Sequence, residues 1–331
     1  MATGEVGVAV LGLGTIGTAV VQAMEAQHDR LVERAGVHLV LQAVLERGPE
    51  RSARANLPPD VVATDLATIL SDDGVDVVVE VLGREQPAAD HMARALAAGK
   101  HVVTANKEAL SKHFGRLVAL AHANDRALLF EASVGGGIPL MASLRQVLAA
   151  NRVNRVRGIL NGTTNYILSQ MAEQGMAYER ALAEAQRLGY AEPDPTADVE
   201  GFDASYKLAI LASLMAGRQV HPDSVERTGI SGVTAAEVEQ ARARGGAIKL
   251  IASAELDGER ATLRVAPTFV AGSEMLAHVG ANFNAIEIVG DRVGPLVLTG
   301  QGAGPLPTAS AILSDIVEAA RTGVAATPVL G

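Results

Sequence analysis

The sequence predicts an α/β chain, with a doubly wound parallel sheet first and a mixed α+β domain after it. Three observations carry that prediction. A glycine triplet follows an apolar run at the N-terminus. Apolar strands then alternate with amphipathic helices up to "ALLFEAS". Beyond that point strand-like segments crowd the second half without such strict alternation.

The first element is read from "EVGVAVLGLGTIGTAV". Its apolar run, Val6 to Leu11, is a buried strand, and the alanine-rich continuation is a helix. Between them stands Gly12-Leu13-Gly14-Thr15-Ile16-Gly17. Gly12 permits a tight turn, Gly14 lets the backbone approach a pyrophosphate, and Gly17 lets the helix pack close to the sheet. The helix N-terminus adds free N–H groups and a positive dipole. Leu13, Gly14, Thr15, Ile16, Gly17 and Thr18 are therefore the expected dinucleotide-binding loop of a Rossmann-type domain.

"LVLQAVL" reads as the second strand, "VDVVVEVLG" as the third, "KHVVTA" as the fourth and "ALLFEAS" as the fifth. Helices such as "PAADHMARALAAG" and "FGRLVALAHAND" lie between them. Ligands of such sheets bind at the carboxyl ends of the strands, here Gly83, Thr104 to Lys107, and Glu131 to Gly137. After the second strand comes "LERGPERSAR". An acid there suits the ribose 2′-hydroxyl of NAD, and an arginine the 2′-phosphate of NADP. Glu46 and Arg47 are adjacent, so the choice between NAD and NADP stays open.

In the second half, "NRVNRVRGIL", "AIKLIASAEL", "ATLRVAPTFV", "NAIEIVG" and "GPLVLTG" read as strands with helices between them. "ILNGTTNYI" sets Asn161, Gly162, Thr163 and Thr164 at a strand-to-helix junction. Its helix N-terminus could take a substrate carboxylate. An ordinary cap by Thr163 or Thr164 is equally compatible. "GYAEPDPTADVEGFDASYK" gathers carboxylates and ends on a lysine. Asp203 and Lys207 share one helical face with Ile210, Leu211 and Leu214. The pair is either a surface pair worth about 0.3–0.5 kcal/mol or a functional pair turned inward.

Bulk composition excludes several classes. Net charge is −9 with a pI near 5.4, and no basic stripe is evident, which argues against a nucleic-acid partner. Aromatics are 3% and tryptophan is absent, so base-stacking platforms are not expected. Cysteine is absent, which removes disulfides, thiolate metal sites and a cysteine nucleophile. No apolar run approaches the ~20 residues that span a bilayer. The N-terminus enters a strand without a signal peptide, so a cytoplasmic protein with no membrane partner is expected.

With "AGKHVVTANKEAL", "EASVGGGIPL", "ILNGTTNYIL" and "LGYAEPDPTADVEGFDASYK" in that order, the chain resembles the homoserine dehydrogenase family. The likeness runs from Gly12 to "GQGAGPLPTASAILSDI". It implies an NAD(P)-dependent oxidoreductase acting on a CH–OH group. Such an enzyme interconverts L-homoserine and L-aspartate 4-semialdehyde on the route to threonine and methionine. By this resemblance Lys207 is the proton-donor lysine and Lys107 a second lysine near nicotinamide and substrate. Glu192 and Asp203 bind the substrate. Arg47, Lys107, Gly189 and Gly304 join the glycine loop in holding the cofactor. Glu131, Val134, Gly136 and Ile138 surround a monovalent cation, Na+ or K+, through oxygens. The nucleotide domain is expected over 1–138, completed by 306–331, and the catalytic and dimerisation domain over 139–305. A homodimer is implied.

Two departures stand against that pattern. The family commonly has a double glycine after the third strand, where this chain reads Leu82-Gly83-Arg84. Many members also carry a C-terminal domain that senses threonine. This chain stops soon after "TASAILSDIVEAA", so feedback by that route is expected to be missing.

The nearest alternative is a sugar or polyol dehydrogenase of the glucose-fructose oxidoreductase type, which shares "AGKHV". Those enzymes read Glu-Lys-Pro where this chain has Asn106-Lys107-Glu108, and they lack the acidic helix ending on Lys207. Aspartate-semialdehyde dehydrogenase forms a thioester, which a chain without cysteine cannot do. A cofactor-binding sensor without chemistry is compatible with the fold alone. It gives no reason for Lys107, Glu192, Asp203 and Lys207 to occur together.

Overall fold

The computed structural model describes residues 4–48, 50–51, 57–258 and 260–330. The chain divides into two units, Met1–Met141 with Gly304–Gly331, and Ala142–Ala303.

Six parallel strands make the sheet of the first unit, in the order β3-β2-β1-β4-β5-β6. They are β1 Gly4–Leu11, β2 Val37–Leu45, β3 Val62–Ala63, β4 Val77–Glu80, β5 His101–Thr104 and β6 Leu128–Leu129. Val8 to Leu11 and Val77 to Val79 are all 0% exposed. Strands buried on both faces read as continuous apolar runs, which is how the sequence shows them. The strand order reverses between β1 and β4, so the crevice at their carboxyl ends is the natural ligand position. The Pro305–Thr322 helix covers one face of this sheet. Its Ala309, Ile312 and Ile316 join Val20 and Met24 of the Thr15–Ala26 helix and Val8, Val10, Val77 and Val79 of the strands.

Two details differ from expectation. β3 is an additional strand whose two residues are too few to show a period. "ALLFEAS" contributes only Leu128–Leu129 to the sheet before turning helical at Glu131–Val134. There the Glu131 N–H leaves the ladder and donates to Asp315 Oδ2 at 2.8 Å.

The second sheet runs β12-β11-β7-β9-β10-β8. Its strands are β7 Val153–Ile159, β8 Glu226–Arg227, β9 Gly246–Asp257, β10 Arg260–Ala271, β11 Phe283–Gly290 and β12 Gly294–Gln301. All pairings are antiparallel except the short β8 beside β10. The five long strands lie where the sequence places them, and β8 is new. Helices Gly162–Gln174, Phe202–Ala216 and Ala235–Ala243 pack on this sheet. Among the described residues no helix is long and apolar enough to cross a membrane.

Lys249 of β9 lies beneath the Gly162–Gln174 helix, 4% exposed. Its Nζ donates to Val279 O at 2.7 Å, Asn165 Oδ1 at 3.0 Å and Ser169 Oγ at 3.4 Å. Burial lowers its pKa to about 8, against an upward pull from Glu173.

The glycine loop yields a stability prediction. A Cβ at Gly17 would run into the Gly12 carbonyl, whereas one at Gly14 meets nothing within 4 Å. Gly17→Ala should therefore cost about 1–3 kcal/mol of unfolding free energy through overpacking. Gly14→Ala should leave the melting temperature nearly unchanged while weakening dinucleotide binding. A thermal shift and a cofactor titration on both variants check this.

Lys249 yields a second one. Its folded pKa lies below the usual lysine value of 10.5, so the unfolded chain binds more protons between pH 8 and 10.5. Stability from this residue therefore rises with pH across that window, by about 3 kcal/mol in all. Below pH 8 the full burden is present. Between pH 8 and 10.5 the wild type should therefore gain stability relative to Lys249→Met, which lacks this titration, as urea titrations at pH 7 and pH 10 would show.

Candidate active site

The Phe202–Ala216 helix explains the placement of Asp203 and Lys207. Its buried residues run almost without break from Asp203 to Ser213, so no face is left to be a solvated stripe. Asp203 is 5% exposed and Lys207 6%, and Lys207 Nζ meets Asp203 Oδ2 at 2.9 Å. The surface-pair reading is thereby overturned. Removing one partner of such a pair costs about 3–5 kcal/mol, because a buried charge is left behind.

Neighbours complete the pair. Lys207 Nζ also donates to Leu160 O at 2.8 Å, and Asn284 Nδ2 donates to the same carbonyl at 3.1 Å. Asn161 Nδ2 donates to Asp203 Oδ2 at 2.9 Å and to Asp198 Oδ1 at 2.7 Å. The other end of that amide caps the Gly162–Gln174 helix, with Oδ1 accepting from Thr164 N at 2.9 Å. The cap expected from Thr163 or Thr164 is thus supplied by Asn161. Thr163 Oγ1 donates instead to Tyr190 O at 2.7 Å, and Thr164 Oγ1 to Asn161 Oδ1 at 2.9 Å.

An ammonium has three N–H bonds. Two of those on Lys207 are spent on Asp203 and Leu160. The third direction is open among the described residues, so the lysine can give one proton and still keep both anchors.

Glu192 differs from this cluster in exposure. It is exposed, and the bond it takes is from Gln186 Nε2 to its backbone carbonyl at 3.1 Å. Gly189 is likewise exposed, at φ 77°, after the Tyr178–Arg187 helix. The hydrogen bonds described for Asp203 and Lys207 run to Asn161, to Leu160 and to each other.

In the first unit the glycine loop has the shape a pyrophosphate needs. Gly12 adopts φ 101°, and Gly14 offers no side-chain cap to the Thr15–Ala26 helix, leaving its N-terminus open. Glu46 Oε2 accepts from Leu13 N at 3.3 Å and its Oε1 from Gly48 N at 2.8 Å. Burial raises its pKa, but the Gly48 and Leu13 amides and Arg51 outweigh that and hold it below the usual range. Glu46 is therefore an anion bound to the loop. Arg47 beside it is exposed. Gly304, at φ 119°, precedes the Pro305–Thr322 helix.

Lys107 opens the Lys107–Ala123 helix and is half-buried. Asn106 caps that helix through Ala109 N at 3.0 Å. Its Nδ2 donates to Arg84 O at 2.8 Å and to Glu80 Oε1 at 3.4 Å. Glu80 is 0% exposed at the carboxyl end of β4 and also accepts from Thr104 Oγ1 and Leu82 N, both at 2.7 Å. Burial pushes its carboxyl above the usual range despite those bonds. Arg84 is thus tied by its backbone carbonyl, with its side chain exposed.

Around the expected cation site, the Glu131 carboxylate accepts from Leu140 N and Met141 N, both at 2.7 Å. It serves the start of the Leu140–Ala150 helix. Glu131 O accepts from Gly135 N and Ile138 O from Leu140 N, and Gly136 adopts φ 59°. Val134 lies in the short helix between them, fully buried.

Sequence reasoning missed Asp198, Glu80 and Asn284 as parts of these networks. A single carboxylate inside the run "VVVEV" was the signal available for Glu80, since an acid in a doubly buried strand needs partners.

Comparisons with known proteins follow this geometry. A family model described as homoserine dehydrogenase matches residues 139–317. A second, described as the NAD-binding domain of homoserine dehydrogenase, matches residues 12–131. The chain is 45% identical to the homoserine dehydrogenase of Mycobacterium tuberculosis over 325 residues, 96% of this chain and 73% of that protein. It is 39% identical to that of Bacillus subtilis over 310 residues, 94% of this chain and 72% of the other. Among solved structures, a homoserine dehydrogenase from Thiobacillus denitrificans superposes with a TM-score of 0.91 at 38% identity. That match covers 96% of this chain and 74% of the other. A hyperthermophilic archaeal homoserine dehydrogenase in complex with NADPH gives 0.80 at 26% identity, covering 96% and 98%. The sugar or polyol dehydrogenase alternative finds no support in these likenesses. Two family models over most of the chain, together with relatives at about 40% identity, place it: the chain belongs to the homoserine dehydrogenase family, whose members are NAD(P)-dependent oxidoreductases acting on a CH–OH group.

Proposed function

We propose that the chain interconverts L-homoserine and L-aspartate 4-semialdehyde with NAD or NADP, and that Lys207 is its acid and base. The observation that carries this reading is the buried lysine with two N–H bonds anchored and one left to give. A bound nicotinamide supplies or takes the hydride at its C4. In reduction, charge develops on the aldehyde oxygen as the hydride reaches carbon, and Lys207 protonates it. In oxidation the neutral amine takes the hydroxyl proton, with both anchors still in place.

Asp203 holds the lysine inward and, with Glu192, grips the substrate ammonium. Glu192, being exposed, is available to close on the substrate. Lys107 is the second positive charge near nicotinamide and substrate, set by the Asn106 cap. Leu13 to Thr18 carry the pyrophosphate on the uncapped helix, with Arg47, Gly189 and Gly304 as further cofactor contacts. A monovalent cation, Na+ or K+, is held through oxygens of Glu131, Val134, Gly136 and Ile138, and the Glu131 carboxylate also fixes the Leu140 and Met141 amides. The nucleotide-binding part spans 1–138 with 306–331. The part over 139–305 binds substrate and pairs as a homodimer, an assembly that sedimentation velocity would reveal. The role is cytoplasmic amino-acid biosynthesis, leading to threonine and methionine.

The direct test is initial rates with L-homoserine against NAD and NADP, with and without added Na+ or K+. Activity on a sugar or polyol but not on homoserine would overturn the reading. Lys207→Ala should lower kcat by about 10²–10⁴, the worth of a positioned general acid. Asp203→Ala should mainly lower kcat/KM and also lower the melting temperature, as a stranded buried charge must. Cofactor Kd should not change in either variant.

Cofactor choice gives a separate prediction. Arg47 is open to meet a 2′-phosphate, while anionic Glu46 sits where a ribose hydroxyl would be bound. Arg47→Ala should weaken NADP about ten- to hundredfold more than NAD, the worth of one charge-assisted contact. Equal losses for the two cofactors in a fluorescence titration would remove Arg47 from the site.

A further inference from the structure

Asn284, near the start of β11, is set apart by what it lacks. Its side chain is 1% exposed, yet Oδ1 has no hydrogen-bond partner among the described residues. Turning the amide over would not help. It would set Oδ1 against the Leu160 carbonyl, acceptor against acceptor, and lose the bond that Nδ2 makes there at 3.1 Å. A buried acceptor left without a donor destabilises the fold. Asn284 is thus a poor choice for stability alone, and an apolar side chain of the same branching would avoid that penalty.

Among the described residues, the single bond its side chain does make goes to a telling place. Leu160 O also accepts from Lys207 Nζ at 2.8 Å. A peptide carbonyl offers two acceptor positions, and here Asn284 takes one and Lys207 the other. The next residue, Asn161, holds Asp203 with its side chain. One stretch of backbone therefore sets both anchors of the lysine, and Asn284 is the side chain that pins it from the sheet. The sheet in turn makes room for Asn284. A Cβ at Gly302 would collide with its Nδ2, and Thr299 Oγ1 donates to its carbonyl at 3.0 Å.

We propose that Asn284 is a positioning residue for Lys207, acting through the Leu160 carbonyl. This rests on the reading of Lys207 as the proton donor. With two N–H directions fixed by Leu160 and Asp203, tetrahedral geometry fixes the third. A carbonyl free to tilt would let that third direction wander away from the substrate oxygen. The effect belongs to the chemical step and not to binding.

The test is a double-mutant cycle in the full chain with L-homoserine and its nicotinamide cofactor. Asn284→Leu keeps the branched skeleton and removes both the donor and the orphaned acceptor. Asn284→Ala is the second variant, in case the methyl groups do not fit. Gly302→Ala pushes the amide off the carbonyl without changing residue 284. Each should lower kcat about 10-fold, the worth of one orienting hydrogen bond, with KM for homoserine and cofactor Kd within about twofold of wild type. In the Lys207→Ala background the same changes should cost nothing further. An unchanged kcat in the single variants overturns the proposal. So does the same fractional loss in the Lys207→Ala background, or a rise in KM without a fall in kcat. If Lys207→Ala itself turns over normally, the reading of the lysine fails and this inference falls with it. If Lys207→Ala is slow while the Asn284 variants are normal, the inference alone fails.

Discussion

Much of the second unit follows from one constraint: the Lys207 ammonium is taken out of water. A desolvated charge must be paired and hydrogen-bonded or it will not stay charged. Asp203 supplies the countercharge from the preceding turn, and Leu160 supplies a carbonyl dipole. Asp203 is itself buried and needs a donor, which Asn161 provides. The same Asn161 amide reaches Asp198, so it also separates two carboxylates that would otherwise repel each other. An aspartate at 161 could cap the helix but would add a third negative charge. Alanine could do neither. The residue type at 161 is therefore set by the lysine one helix away.

The first unit uses the same device. Asn106 caps the Lys107–Ala123 helix with its oxygen and turns its nitrogen towards a buried carboxylate, Glu80, and the Arg84 carbonyl. Asn161 caps the Gly162–Gln174 helix with its oxygen and turns its nitrogen to Asp203 and Asp198. In both, a helix start and a buried acid are fixed by one short side chain with a donor and an acceptor on opposite ends. The two lysines assigned to chemistry thus stand beside helix starts capped by an asparagine side chain. Elements held this way keep a side chain in register better than a loop can.

The fold was readable in the sequence wherever an element was long enough to show its period. β9 and β10, each twelve residues, were unmistakable, and so was the glycine loop behind β1. The two-residue strands β3 and β8 were not, because neither a period nor a propensity can be read from two positions. The site divides in the same way. Asp203 and Lys207 are neighbours along a helix, so their contact was legible from spacing. Their burial was not, since it depends on what the other faces of the helix meet. Asn161 reaches Asp203 across 42 residues and Asn284 reaches Leu160 across 124. Such partners become neighbours only once the sheet is assembled. Glu192 was carried over by likeness to the family, and its side chain is exposed where those of the pair are buried.

Two buried polar groups in the second unit oppose stability for different reasons. Lys249 has three acceptors, so its penalty is one of charge and vanishes when the amine is neutral. Its bonds tie the Gly162–Gln174 helix to the Val279 carbonyl, and Asn165 repeats that tie through Val279 O and Phe283 O. β11 begins at Phe283, so this cluster fixes the entry of the strand that carries Asn284. Asn284 has a different penalty, an acceptor with no donor among the described residues, which no change of pH relieves. The first group anchors a helix to a strand, and the second uses that strand to steady one carbonyl. Stability is given up at Lys249 and at Asn284, and hydrogen bonds through Asn165 and Leu160 lead from the one to the other and on to Lys207.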